Sequence, residues 1–142
     1  MPIIRILVDG YSLLHGWPEL ARGVPRHSHR AREALIQVLT QYRDMIGTPI
    51  TIFFDGQGAP PGTPKLPSTP EMEILFSSAG KTADDLIERT THRLKPYGDV
   101  LVVTDDYAER DTVINLGGFA SSCDSFVAQV QASLRELDPD VR

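Results

Sequence analysis

Ile3-Ile4-Arg5-Ile6-Leu7-Val8-Asp9-Gly10 decides how the rest of this chain is read. A short run dominated by branched apolar residues, with one arginine, suits a strand covered on both faces, and it ends abruptly at an acid and a glycine. Working outward, Ala31, Ala34, Leu35, Val38, Leu39, Tyr42 and Ile46 fall at helical spacing, so a helix is predicted from about Ser28 to the stop signal at Gly47. Ile50-Thr51-Ile52-Phe53-Phe54 is a second buried strand, and Asp55-Gly56 repeats the ending of the first. Residues 56 to 70 carry five prolines and three glycines, which neither helix nor sheet ladder accommodates, so a long loop is expected there.

Beyond the loop the alternation resumes. Met72 to Phe76 is a short strand. Thr82-Ala83-Asp84-Asp85 opens a helix through Leu86, Ile87 and Leu94 that Pro96 and Gly98 terminate. Val100 to Val103 is a fourth strand followed by Thr104-Asp105-Asp106. A helix over Tyr107 to Leu116 is closed by Gly117-Gly118, and Phe119 to Ser121 is a weak fifth strand. The last helix is expected to start near Asp124, with a stripe of Phe126, Val127, Val130, Leu134 and Leu137, and to end at Asp138-Pro139. Strands alternating with amphipathic helices are the sequence form of α/β architecture.

With 142 residues, 41% hydrophobic and 23% charged, the chain is expected to fold as one soluble domain over residues 1–142. Its single cysteine, Cys123, supports neither an internal disulfide nor a zinc framework, which fits a reducing, cytoplasmic setting. The apolar start is too short for a signal peptide or a membrane span, so no membrane association is expected. A net charge of −5 argues against holding nucleic acid by overall positive potential. That objection weakens if the acids are gathered around cations that reverse the local field.

The acids are placed for such gathering. In a parallel α/β sheet the carboxyl ends of all strands emerge at one edge, where ligands bind near a topological switch point. Asp9, Asp55, Asp105 and Asp106 each follow a strand, and Asp84 and Asp85 sit in the first turn of a helix that starts at the same edge. Bare carboxylates at close range raise one another's pKa, whereas a hard cation resolves the conflict. An all-oxygen set without His or Cys points to Mg2+ or Mn2+. Such ions polarise phosphoryl oxygens and lower the pKa of an attacking water, so the chemistry implied is phosphodiester hydrolysis.

Val8-Asp9-Gly10-Tyr11, Phe54-Asp55-Gly56, Thr82-Ala83-Asp84 with Ile87-Glu88, and Val103-Thr104-Asp105-Asp106-Tyr107 together resemble the YacP-like NYN domains of the PIN-like nuclease fold. The resemblance runs from Ile4 to about Val130. It implies a three-layer domain with a central five-stranded parallel sheet of order 3-2-1-4-5 flanked by helices. It also implies a metal-dependent endoribonuclease, of which one described type acts on messenger RNA in association with the ribosome. Carried over, Asp9, Asp84 and Asp106 would be the catalytic, metal-binding acids, with Asp55 in support. The chain departs from the family pattern at Ser12, often Asn, and at Asp105, often Ser. Ser12 retains a hydroxyl for a water or a phosphate, while an extra carboxylate at Asp105 would alter metal number or affinity.

Each motif also has a plainer reading. Thr82 with an acid three residues later resembles a capping box, Asp9-Gly10 and Asp55-Gly56 suit turns, and Asp105-Asp106 suits a helix cap. Their joint occurrence at one edge favours a metal site comprising Asp9, Asp55, Asp84, Asp85, Asp105 and Asp106. Between Glu19 and Glu33 no acid occurs, while Arg22, Arg26, His27, His29, Arg30 and Arg32 do. Such a run suits either a solvated helix start or an RNA backbone track, since phosphates are held chiefly by Arg and Lys. Arg22, Arg26, Arg30, Lys81 and Ser12 are the candidate RNA contacts. His27 and His29 have metal-ligand spacing but no further ligand nearby, and Trp17 or His15 would stack on a base unless packed under the loop. Cys123 reads as a thiol without a role.

The function expected is therefore metal-dependent hydrolysis of RNA. The alternative is a non-catalytic RNA- or ribosome-binding module on the same fold. A receiver-like or phosphatase domain fits poorly, because a receiver has its paired acids after the first strand and here the pair follows the fourth.

Overall fold

The branched run becomes strand β1, Ile3–Asp9, in a computed structural model that describes residues 2–56, 68–78 and 80–137. Most of the proline-rich loop expected over 56–70 lies outside the described residues, as do Asp138 and Pro139 at the expected end of the last helix. After β1 come helix α1 (Gly10–His15), helix α2 (His29–Ile46), strands β2 (Ile50–Phe54) and β3 (Met72–Phe76), helix α3 (Ala83–Leu94), strand β4 (Asp99–Val103), helix α4 (Tyr107–Asn115), strand β5 (Phe119–Ser121) and helix α5 (Cys123–Leu137). Single 3-10 turns lie at Pro18–Ala21 and Lys95–Tyr97.

The strands pair in the order β3-β2-β1-β4-β5. Every pairing is parallel, with Val8 opposite both Ile52 and Val103. Because strand side chains alternate, the continuous apolar runs feed two cores. Ile6, Val8, Ile50, Ile52, Phe54 and Val103 face one layer with Leu35, Leu39, Phe126 and Val130, where α2 packs on α5. Leu7, Phe53 and Val102 face the other with Ala83, Ile87 and Val113, where α3 packs on α4. Phe53, Phe54 and Phe126 are fully buried, each contributing ~1.5–3 kcal/mol relative to exposure.

Helix ends follow their local chemistry. Ser28 Oγ accepts from the Ala31 amide at 3.2 Å, and Gly47 closes α2 in the left-handed region, φ 76°, with its N–H donating to the Arg43 carbonyl. Helix α1 was not signalled by periodicity, being too short to show a face. Its first residue is glycine for a packing reason: a Cβ on Gly10 would lie 2.3 Å from the Phe54 ring. The last helix starts at Cys123, one residue ahead of the expected Asp124.

The consequence for function is positional. Since every strand is parallel, all five end at one edge, and the chain leaves β1 first toward β2 and β3 and later returns to add β4 and β5 on the other flank. The switch point thus falls at the end of β1, between β1 and β4. Among the described residues no helix is long and apolar enough to cross a membrane.

Candidate metal centre

Asp9 closes β1 and simultaneously caps α1, its Oδ1 accepting from the Ser12 amide at 3.4 Å. Two helix starts bring acids to it across the switch point. Asp84 lies in the first turn of α3 and Glu109 in the first turn of α4. One carboxylate oxygen from each of Asp9, Asp84 and Glu109 lies within 4.8 Å of the other two. Asp9 and Asp84 are half-buried, and Glu109 is only 2% exposed.

The electrostatics of this triad are strained. Burial chiefly, then the charges of Asp84, Asp106 and Asp55, push the Asp9 carboxyl up to about 6, against a lowering bond from the Ser12 amide. Glu109 is raised further, above neutrality. Burial is the main cause, followed by sharing a proton with Asp84 and by the charges of Asp84 and Asp9. Thr104 Oγ1 donates to Glu109 Oε2 at 3.2 Å, but Oε1 is buried, and once the acid ionises no donor among the described residues reaches it. A buried, orphaned acceptor beside two further carboxylates, with no sulfur or imidazole in the set, fits a hard divalent cation.

The other expected acids divide. Asp106 caps α4, its Oδ1 accepting from the Glu109 amide at 3.2 Å, and its charge still reaches Asp9. Asp55 accepts from Ser77 Oγ at 3.2 Å, and its charge also reaches Asp9. These two form a flank to the triad. Asp85 is turned away into a complete capping box: its Oδ2 accepts from the Thr82 amide at 3.0 Å while Thr82 Oγ1 accepts from the Asp85 amide. Asp105 turns toward α5, its Oδ1 accepting from the Cys123 amide at 2.8 Å. For Asp85 and Asp105 the plainer capping reading therefore describes where the carboxylates sit, because amides at helix starts engage them.

Glu109 was missed by the sequence reading. The signal existed: it stands three residues after Asp106, one helical turn into a helix that begins at the strand-end edge, the same argument that singled out Asp84. It was hidden because the conspicuous Asp105-Asp106 pair drew the assignment.

The basic candidates sit around the same edge. Helix α2 runs back from it, so its start and the preceding turn carry Arg22, Arg26 and Arg30 there, all exposed. Arg26 Nη1 donates to His15 Nδ1 at 2.6 Å. Lys81 lines an open polar depression with Gly80, Asp85, Glu88 and Arg89, which none of the triad borders. The Ser12 hydroxyl, expected on a water or phosphate, is engaged internally: it accepts from the Asp105 amide at 3.1 Å and lies 3.5 Å from Cys123 Sγ. Trp17 is buried, not poised to stack. His27 stacks on Tyr11 and His29 pairs with Glu33 at 3.0 Å, so the two histidines do not converge on a metal. Cys123 is buried, and burial pushes its thiol up to about 12, consistent with an inert group.

Comparison with known proteins bears on the family and the fold. The family model described as YacP-like NYN domain matches residues 6–142. The chain is 28% identical over 138 residues to the YacP protein of Bacillus subtilis (strain 168), covering 96% of this chain and 81% of that one. It is similar to the crystal structure of Rae1 (YacP) from Bacillus subtilis, with a TM-score of 0.80 and 27% identity over 100% of this chain and 80% of that one. A point mutant of the same protein gives a TM-score of 0.79 at 26% identity, covering 94% and 79%.

Proposed function

Since the chain belongs to the YacP-like NYN domain family, whose members are generally nucleases, we propose that it is a metal-dependent endoribonuclease hydrolysing RNA phosphodiester bonds. The observation that carries the reading is the convergence of Asp9, Asp84 and Glu109 within 4.8 Å at the switch point of the sheet. These three would hold Mg2+ or Mn2+, with Asp106 and Asp55 adding negative charge from the flank. A divalent ion bound there supplies Lewis acidity toward a phosphoryl oxygen and lowers the pKa of water. The protein's own part is to keep the acids apart from bulk solvent and to fix their directions. Asp9 is aimed by the α1 turn, Glu109 by Thr104 and by the amide-capped start of α4.

The substrate is bound, in this reading, by the exposed arginines Arg22, Arg26 and Arg30 and by Lys81, which would contact phosphates without reading sequence. They offset locally a net charge of −5. The setting is the cytoplasm, and the RNA is single-stranded or messenger RNA, with the ribosome as a partner that presents it. Purified protein with Mn2+ or Mg2+ is expected to cleave such RNA, and Asp9→Asn to abolish cleavage with the fold intact, checked by circular dichroism and gel assays. Cleavage persisting in EDTA or in the Asp9→Asn protein rejects the mechanism. Retention of RNA without turnover, across metals and substrates, makes the chain a binding module instead.

A further inference from the structure

A line of aromatic rings leads from the end of β2 to the surface. Phe54, fully buried beside Asp55, lies 5.0 Å from the Tyr11 ring, two residues after Asp9. Tyr11 in turn carries the His27 imidazole stacked at 4.1 Å and 18°. His27 is exposed, and Tyr11 stacks against one face of its ring. The arrangement is held from below by Arg32, 2% exposed, which donates to Tyr11 Oη at 3.1 Å and to the His27 carbonyl at 2.7 Å. A buried guanidinium tying the Tyr11 hydroxyl to the His27 main chain holds the Tyr11 ring and the backbone under the imidazole in place before any ligand arrives, which lowers the cost of stacking there.

We propose that the face of His27 turned away from Tyr11 is a stacking platform for one unpaired base of an RNA strand whose backbone crosses the Asp9–Asp84–Glu109 edge. The inference rests on the RNA reading above and adds a base subsite to it. Single-stranded RNA is the occupant the surroundings favour: Arg22, Arg26 and Arg30 lie on the same turn and helix start for its phosphates, and splayed bases stack on aromatic and imidazole faces. The platform tolerates any base, since every base offers a π face.

The test measures binding of labelled single-stranded RNA by fluorescence anisotropy in an Asp9→Asn background, with His27→Ala and His27→Phe added. His27→Ala is expected to weaken binding about 5- to 150-fold, the range a lost base stack gives, and His27→Phe to stay within about twofold. An abasic site moved along the RNA should reproduce the loss at one position and cause no further loss there in the His27→Ala protein. The His27 Cε1–H resonance should move upfield on adding RNA, a ring-current effect that neither a phosphate contact nor a purely structural role produces. Unchanged binding with His27→Ala, a Phe variant as weak as Ala, or an abasic penalty equal at every position each overturns the platform. Cleavage is assayed in parallel with Mn2+. If the parent protein cleaves while His27→Ala binds normally, the platform alone fails; if binding depends on His27 and no metal supports cleavage, the nuclease reading alone fails.

Discussion

Ser12 Oγ accepts a 3.1 Å hydrogen bond from the backbone amide of Asp105, a residue 93 positions further along the chain. The carboxylate of Asp105 then accepts from the Cys123 amide at 2.8 Å, so helix α1, the loop after β4 and the start of α5 are joined in series. Ser12 and Asp105, the two motif positions that the family resemblance marks as unusual, are in contact. The extra carboxylate is absorbed by a helix start, and the serine supports the loop that presents it.

Asp105→Ala is therefore expected to behave as a lost helix cap. Stability should fall by ~1 kcal/mol in urea melts, while Mn2+ affinity by calorimetry stays within about threefold. A tenfold loss of affinity would return Asp105 to the set of metal-holding acids.

Adjacent Asp84 and Asp85 should separate cleanly. Asp85→Ala removes half of the capping box and is expected to cost ~0.5–2 kcal/mol of stability with RNA cleavage nearly unchanged. Asp84→Asn should leave the melt close to the parent and abolish cleavage. Equal effects of the two changes on cleavage contradict the assignment.

The buried acids set a pH dependence. Asp9 and Glu109 hold their protons more tightly when folded than when unfolded, so the stability they contribute is fully present below the ordinary carboxylate range. For Asp9 it is lost as pH rises from 3.8 through about 6, and for Glu109 the loss continues above neutrality. In EDTA, the melting temperature should fall between about pH 5 and pH 8, and Glu109→Gln should flatten that fall. Mn2+ displaces these protons, so its apparent affinity should rise over the same interval in the parent and much less in the variant. A parent protein whose metal-free melt is flat with pH argues against the buried triad.

Gly10→Ala tests the packing beneath the site. The added methyl would meet the fully buried Phe54 ring at 2.3 Å, so something must shift. A loss of ~1–3 kcal/mol is expected by chemical denaturation, with weaker Mn2+ binding because Asp9 precedes the displaced residue. An unchanged melt shows that the ring yields.

The strands, the long helices and the meeting of several acids at one edge were legible in the sequence, because each depends on local burial patterns that repeat with the period of the element. Sheet order was not legible from periodicity. Ile3–Val8, Ile50–Phe54 and Val100–Val103 are all buried runs that could be neighbours in several arrangements, and it was the family motifs that implied 3-2-1-4-5. Helix α1 left no trace, since six residues after a strand show no face.

By itself, then, the chain's order of residues determined the α/β frame, the common strand-end edge and the presence of Asp9 and Asp84 there. Only the tertiary structure decided which acids turn inward. Asp85 and Asp105 found amides at helix starts, Glu109 found a buried slot beside Asp84, and each outcome depended on which backbone group lay nearest in space. Hydrophobic periodicity reports how an element is covered; the direction of a carboxylate answers to hydrogen-bond donors brought from elsewhere in the chain.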